Sequence, residues 1–265
     1  MTLPRFSLLT LRRPLAILSM LALCWFSATA SAAVDAEFKQ GMAYADLRQA
    51  LLADGWLPLR NLNCQTNVGG EAKVCSDLPE VDSCSGTGVC VMNFAHKSQG
   101  NIMRVGAEGD YTRWNDSAAK SAFAVRFWES QAVSPSPNAT CPATDFTEFL
   151  IRYANDDSVK KGFTDPLIKV LEPVFDGDLG FDTEPVYLAS ADYEGFNLRH
   201  QPDGFHVVDY QGQVDPQPTK MNLDASSDKV RIVSYQYGMS EGNAYRFELR
   251  NGCWHLTESP YVPSP

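Results

Sequence analysis

The stretch Asp82–Phe94 reads DSCSGTGVCVMNF: two cysteines, two serines and a threonine around a pair of glycines. Such a loop can cradle a phosphate, present an activated hydroxyl or carry a redox pair. A phosphate loop needs its glycines between a strand and a helix N-terminus, usually beside a lysine. Here the glycines precede an apolar, strand-like run, and the nearest lysine is Lys97. A nucleophile elbow needs Gly-x-Ser-x-Gly, and Ser85 lies in Ser-Cys-Ser-Gly-Thr. Redox pairs favour two intervening residues, whereas Cys84 and Cys90 have five between them. The loop therefore reads as a turn whose glycines supply positive φ and whose ends are joined by Cys84 and Cys90.

The other candidates are no stronger. Four histidines are present: His96, His200, His206 and His255. His200 and His206 flank the turn signal Pro202-Asp203-Gly204, and a hairpin there can bring them together. No third ligand sits at a metal-site spacing. FDGDLGFDTE gathers Asp176, Asp178, Asp182 and Glu184, a density that suits calcium, but the twelve-residue loop register is missing. No Ser–His–Asp or Cys–His arrangement can be drawn, because each cysteine beyond the N-terminal segment is better used in a bridge. The sequence thus assigns no catalytic, cofactor-binding or metal-ligating residue and implies no cofactor. The aromatics at Arg113-Trp114 and Phe127-Trp128 are expected in a core rather than on a contact patch.

The N-terminus explains the cysteine count. Arg5, Arg12 and Arg13 precede the apolar run LAILSMLALCWF and the small-residue stretch SATASAA. That run is short for a membrane span and has the form of a secretory signal, cut near Ala32. Leu23 before Cys24 does not suit lipid attachment, and Leu11 and Pro14 do not suit a twin-arginine signal. Removing the signal takes three of 22 basic residues and no acid, leaving 19 against 32, near −13. Such a charge repels nucleic acid and anionic bilayers. It leaves a protein partner, basic in character, as the expected one, with a cationic ligand as the alternative. Six cysteines then remain: Cys64, Cys75, Cys84, Cys90, Cys141 and Cys253. An even count in an exported chain points to disulfides. Locality pairs Cys64 with Cys75, Cys84 with Cys90, and Cys141 with Cys253. This is the simplest of fifteen pairings.

Composition divides what is left. Residues 1–32 form the signal, 33–129 a small disulfide-rich α+β domain, 130–142 a linker rich in Ser, Pro, Ala and Thr, and 143–265 a second α+β domain. In the first domain Tyr44, Leu47 and Leu51 make one apolar helix face, and Gly55 follows where a left-handed cap is cheapest for glycine. Val89–Phe94 and Ile102–Val105 read as strands. Ala118–Trp128 fits a helix or a strand. In the second domain Phe146, Phe149, Leu150 and Tyr153 share a helix face, and Asp145 precedes Glu148 as in a capping box. After Pro166 come strand patterns: LIKVLEPV, PVYLAS, GFHVVDY, KVRIVSYQYG, AYRFELR and CWHLTES. Asn251-Gly252 is the preferred type I′ turn, which sets Arg250 opposite Cys253 and Leu249 opposite Trp254. The expected fold class is α+β, two small domains, each with helices on an antiparallel sheet and stapled by disulfides.

Two resemblances follow from these residues. Arg48, Gly55-Trp56-Leu57-Pro58, Pro79-Glu80-Val81 and Cys84–Gly88 form a pattern over Gly41–Glu108. It resembles a family of small exported bacterial proteins of unknown function. The Cys64–Cys75 loop departs from that pattern. Phe146, Phe149, Thr164–Leu167, Phe247 and Cys253–Leu256 are similar to a second uncharacterised exported family. That resemblance implies a curved-sheet cone of the nuclear-transport-factor-like or cystatin-like kind. Neither resemblance brings an assigned catalytic residue.

The expected function is a non-catalytic exported binding protein, periplasmic or secreted, in the manner of an inhibitor or immunity protein for a toxin or hydrolase. The alternatives are an enzyme with its site in the C-terminal cone, built from groups such as Asp192, Tyr210 or His206, and an accessory protein for envelope assembly or secretion.

Overall fold

The computed structural model describes residues 34–69, 72–116, 118–119, 122–134, 140–175, 181–237 and 241–259. The segment read as a signal, with Cys24, and Asp176 and Asp178 of the candidate calcium loop lie outside them.

The first half begins with α1 (Tyr44–Ala53), which buries Tyr44, Leu47 and Leu51, the face set by their spacing. Its end is a Schellman cap. The Trp56 N–H donates to the Leu51 carbonyl (3.0 Å) and the Gly55 N–H to that of Leu52 (3.1 Å), with Gly55 at φ +90°. This turn drops Trp56 into the core. Then come β1 (Leu57–Arg60), α2 (Cys64–Asn67), α3 (Ala72–Asp77), β2 (Val81–Cys84), β3 (Val89–His96), β4 (Asn101–Gly109) and β5 (Phe123–Ala132). Of the ambiguous Ala118–Trp128 segment, Phe123–Trp128 is thus strand. β5 pairs with β4 from Gly109↔Phe123 to Asn101↔Ala132. The first three residues of the expected linker belong to this strand, because β4 supplies their backbone partners while their side chains stay exposed.

The second half opens with α4 (Phe146–Asn155), and the Asp145 carboxylate accepts the Glu148 N–H at 2.9 Å. Only that half of the capping box forms, since Glu148 pairs with Arg152 instead (2.6 Å). α5 (Asp157–Phe163) follows, then β6 (Thr164–Phe175), β7 (Phe181–Ala189), β8 (Leu198–Gln201), β9 (Gly204–Val207), β10 (Met221–Ser227), β11 (Val230–Tyr237), β12 (Glu241–Arg250) and β13 (Cys253–Glu258). The β12–β13 turn has Asn251 at φ 51° and Gly252 at φ 81°, as type I′ requires. Arg250 faces Cys253 and Leu249 faces Trp254. A register shift between Phe247 and Arg246 then gives β13 one extra residue, Thr257, whose hydroxyl donates to the Arg246 carbonyl (3.2 Å).

The halves are not two small separate domains. They share one eleven-stranded sheet, ordered β10-β11-β12-β13-β6-β7-β1-β3-β4-β5, with β2 beside β3. The weld is β1. It runs antiparallel to β3 (Leu57↔Ala95, Pro58↔Phe94) and parallel to β7 (Leu59↔Tyr187, Arg60↔Leu188). The Arg60 guanidinium pairs with Glu172 of β6, one strand further on. A seam core of Ala95, Leu167 and Tyr187, backed by Leu57, Leu59, Ile102 and Val133, joins residues of both halves. Each half also keeps its own core. One lies under α1 around Tyr44, Met92, Phe94 and Phe123. The other lies under α4 and α5 around Phe149, Tyr153, Tyr245, Phe247 and Trp254. Three disulfides are present: Cys64–Cys75, Cys84–Cys90 and Cys141–Cys253.

Candidate functional site

The glycine-rich loop is a turn. Cys84 and Cys90 face each other across β2 and β3, and their bond closes the hairpin. The Val89 N–H donates to Ser85 Oγ (3.2 Å), and Ser85 Oγ meets Thr87 Oγ1 at 2.9 Å. Gly88, at φ +85°, lies against Gly109, whose N–H donates to its carbonyl (3.0 Å). The hydroxyls and glycines are engaged in holding the turn.

The rest of the first-half pattern is also architectural. Glu80 is fully buried; it accepts the Tyr44 hydroxyl at 2.5 Å and Arg48 Nε at 2.6 Å. Burial, with the Glu80 charge beside it, raises the Tyr44 pKa well above its ordinary value. Burial disfavours the Arg48 charge, but Glu80 outweighs it and the guanidinium pKa rises. Trp56 meets His96 edge-on at 5.4 Å, and His96 Nε2 donates to the Asp54 carbonyl (3.0 Å), its Nδ1 taking the Gln99 N–H. Trp114 is half-buried against Tyr44 and under Arg48, and Trp128 packs edge-on to Phe38. Phe127 is the exposed member, lying over Gly106 and under Arg104.

His200 and His206 do fall on a hairpin, but not together. The register sets His200 opposite Phe205 and His206 opposite Arg199, so the two imidazoles occupy opposite faces. His200 packs on the Phe205 ring (4.8 Å). Among the described residues no group of three or more His, Cys, Asp or Glu is placed to hold a metal.

A cavity of about 570 Å³ opens in the second half between the β8–β9 hairpin, the Val208–Pro216 loop and the β11–β12 end. Its floor is a network around Asn197. Asn197 Oδ1 accepts the Tyr235 hydroxyl (2.7 Å) and lies against that of Tyr245. Tyr245 Oη accepts the Asn197 N–H (3.1 Å) and Asn243 Nδ2–H (2.9 Å), and reaches the Gly195 carbonyl (3.0 Å). Burial raises the Tyr245 pKa well above its ordinary value, so the hydroxyl stays protonated. Val207, Val208, Val214 and Pro216 make the apolar wall, and Asp209, Tyr210, Gln213 and Asp215 the rim. Asp209 Oδ1 accepts the N–H groups of Gln211 (2.9 Å) and Gln213 (2.8 Å), which stiffens the rim turn. That turn holds Tyr210 out, 95% exposed.

His206 stands behind this rim, 1% exposed. Its Nδ1 lies 2.8 Å from the Asp215 carbonyl and its Nε2 2.9 Å from Asp203 Oδ1. Both neighbours accept only, so the ring satisfies both when it carries two protons. The Asp203 bond, joined by the Asp215 carbonyl, raises its pKa despite burial. Of the three groups named for an enzyme site, only Tyr210 lines the cavity; Asp192 sits in the turn after β7.

A second cleft, about 530 Å³, lies at the seam where the β3–β4 turn meets β12 and β7. Asp165 accepts Arg250 Nη1 (2.8 Å) and Lys97 Nζ (3.1 Å) there, and Arg250 Nη2 bonds Glu248 (2.6 Å). Burial, with Glu258 and Asp165 nearby, pushes Tyr187 up to about 12. Its charges are spent on one another, so it serves to hold the halves together.

No protein-family model matches this chain, and no curated protein does. Among solved structures it is similar to an NTF2-like protein from Bacteroides fragilis, with a TM-score of 0.31 and 15% identity over 66% of this chain. The chain spans 64% of that protein's length.

Proposed function

We propose that the protein is a non-catalytic binding protein of the bacterial envelope, exported once its signal is cut near Ala32, with the second-half cavity as its ligand site. The composition of that cavity supports this reading. Its floor hydroxyls and amides are held in a neutral network, and the nearby histidine stands outside the lining with both nitrogens engaged. Three disulfides suit an oxidising compartment. No helix among the described residues is long and apolar enough to cross a membrane.

A narrower version is an inhibitor or immunity protein that caps a toxin or hydrolase. The charge near −13 favours it, since an acidic surface speeds encounter with a basic partner. Crosslinking in envelope extracts tests both. A stoichiometric partner of basic pI supports the narrower version. Turnover of esterase, phosphatase or glycosidase substrates by the purified mature protein overturns the non-catalytic reading.

A further inference from the structure

We propose that the second-half cavity binds a neutral saccharide, its rim tyrosine stacking on a sugar ring. The inference rests on reading the cavity as a ligand site and names the ligand's class. At about 570 Å³ it lies within the range of small-ligand sites, about 300–1,000 Å³.

The lining contains no Lys, Arg or His, so nothing in it offsets a phosphate or carboxylate ligand. An organic cation fits little better. Of the two rim carboxylates, Asp209 takes the Gln211 and Gln213 N–H groups and Asp215 the Gln217 N–H (2.8 Å), so each is partly spent within its own turn, and the floor is uncharged. What remains is a mixed set of donors and acceptors. The Asn197 side-chain Oδ1 is taken by the tyrosines, while its Nδ2 stays outside that network. Gln213 offers both signs at the rim, and the carboxylates accept. A hydroxyl both donates and accepts, so a polyhydroxylated ligand can use all of these. The wall of Val207, Val208, Val214 and Pro216 takes the C–H face or an acetamido methyl.

Tyr210 carries the inference furthest. A tyrosine 95% exposed, whose side chain meets, among the described residues, only the Gln211 amide at its hydroxyl (3.1 Å), gains little from folding, yet its turn is pinned by two N–H groups bonded to the Asp209 carboxylate. An unpacked ring on a pinned turn at the mouth of a hydrogen-bonding cavity is a stacking platform whose backbone is already in position.

The test is calorimetric titration of the full mature protein with chitotriose and with maltotriose. Saturable binding of either, at least tenfold weaker in Tyr210→Ala and unchanged in Leu223→Ala on the exposed face of β10, supports the proposal. Tyr210 packs against nothing that would unfold on its removal, and circular dichroism confirms the variant's fold. Binding of neither sugar, binding indifferent to Tyr210→Ala, or spermine binding in their place overturns it. Mass spectrometry of the bound sugar separates the two readings. Cleaved chitotriose keeps the saccharide site and removes the non-catalytic one.

Discussion

Arg48 on α1 and Glu80, in the turn just before β2, form a buried ion pair, Nε to Oε1 at 2.6 Å, with the Tyr44 hydroxyl on the same carboxylate oxygen. Both residues belong to the sequence pattern of the first half. Their pairing assigns that pattern to fixing α1 on the sheet.

Removing one partner of such a pair leaves a buried charge, and about 3–5 kcal/mol is the usual cost. Arg48→Ala is expected to lower unfolding stability by about that amount in urea titration. Arg48→Met combined with Glu80→Leu is expected to recover most of it. A loss below about 1 kcal/mol in the single variant contradicts the assignment.

His206 gives the second expectation. Its pKa in the fold lies above the ordinary 6.5, through the Asp203 bond first and the Asp215 carbonyl after. Its stabilising contribution is therefore complete below about 6.5 and disappears as pH rises through the raised value. Thermal melts should show Tm falling from about pH 6.5 upward, and His206→Gln should flatten that slope. An NMR titration placing the His206 midpoint at or below 6.5 contradicts the clasp.

The shared sheet predicts a single unfolding event. Indole NMR signals of Trp56, in the first-half core, and Trp254, in the second, should vanish at the same urea concentration. Separated midpoints would mean that β1 does not couple the halves.

Gly109 sits at φ +128°, and a Cβ there would lie 2.0 Å from the Ala122 carbonyl oxygen. Backbone cannot yield as a side chain can, so Gly109→Ala is expected to cost more than about 2 kcal/mol. Gly69→Ala meets nothing within 4 Å, so its cost comes only from φ +70° and is expected to be about 1 kcal/mol. Equal losses in the two variants would refute the steric account.

The disulfides differ in the loops they close. The Cys141–Cys253 bond spans 112 residues and Cys84–Cys90 only 6. Loop entropy gives roughly 5 kcal/mol for the first and about 2 kcal/mol for the second. Serine replacement of each pair, compared by denaturant midpoint, should rank them in that order.

The sequence was legible where one local rule decided an element. The α1 face with its glycine cap, the Asp145 cap and the Asn251-Gly252 hairpin each rest on a few neighbouring residues, and each stands in the fold. It misled where partners are distant. Pro58 hides β1, a four-residue strand whose pairing with β7 no local pattern encodes, so the halves read as separate. The cavity was barely visible. Tyr210 and His206 were named for the cone, but what unites the site is Asn197, Tyr235, Asn243 and Tyr245, scattered over 49 positions from Asn197 to Tyr245. An aromatic between Asp209 and Gly212 in a polar turn was the available sign.

The position of β1 also constrains the order of assembly. Leu59 meets Tyr187 only after 128 further residues have been made, since the chain is synthesised from its N-terminus. Until then the nascent first half carries an unpaired strand edge, the template on which chains associate wrongly. Cys64–Cys75 and Cys84–Cys90 can close during that wait, whereas Cys253 reaches the oxidant last. Oxidative folding should therefore pass through a species with two bridges and two thiols, whose lifetime measures how long that edge stays open.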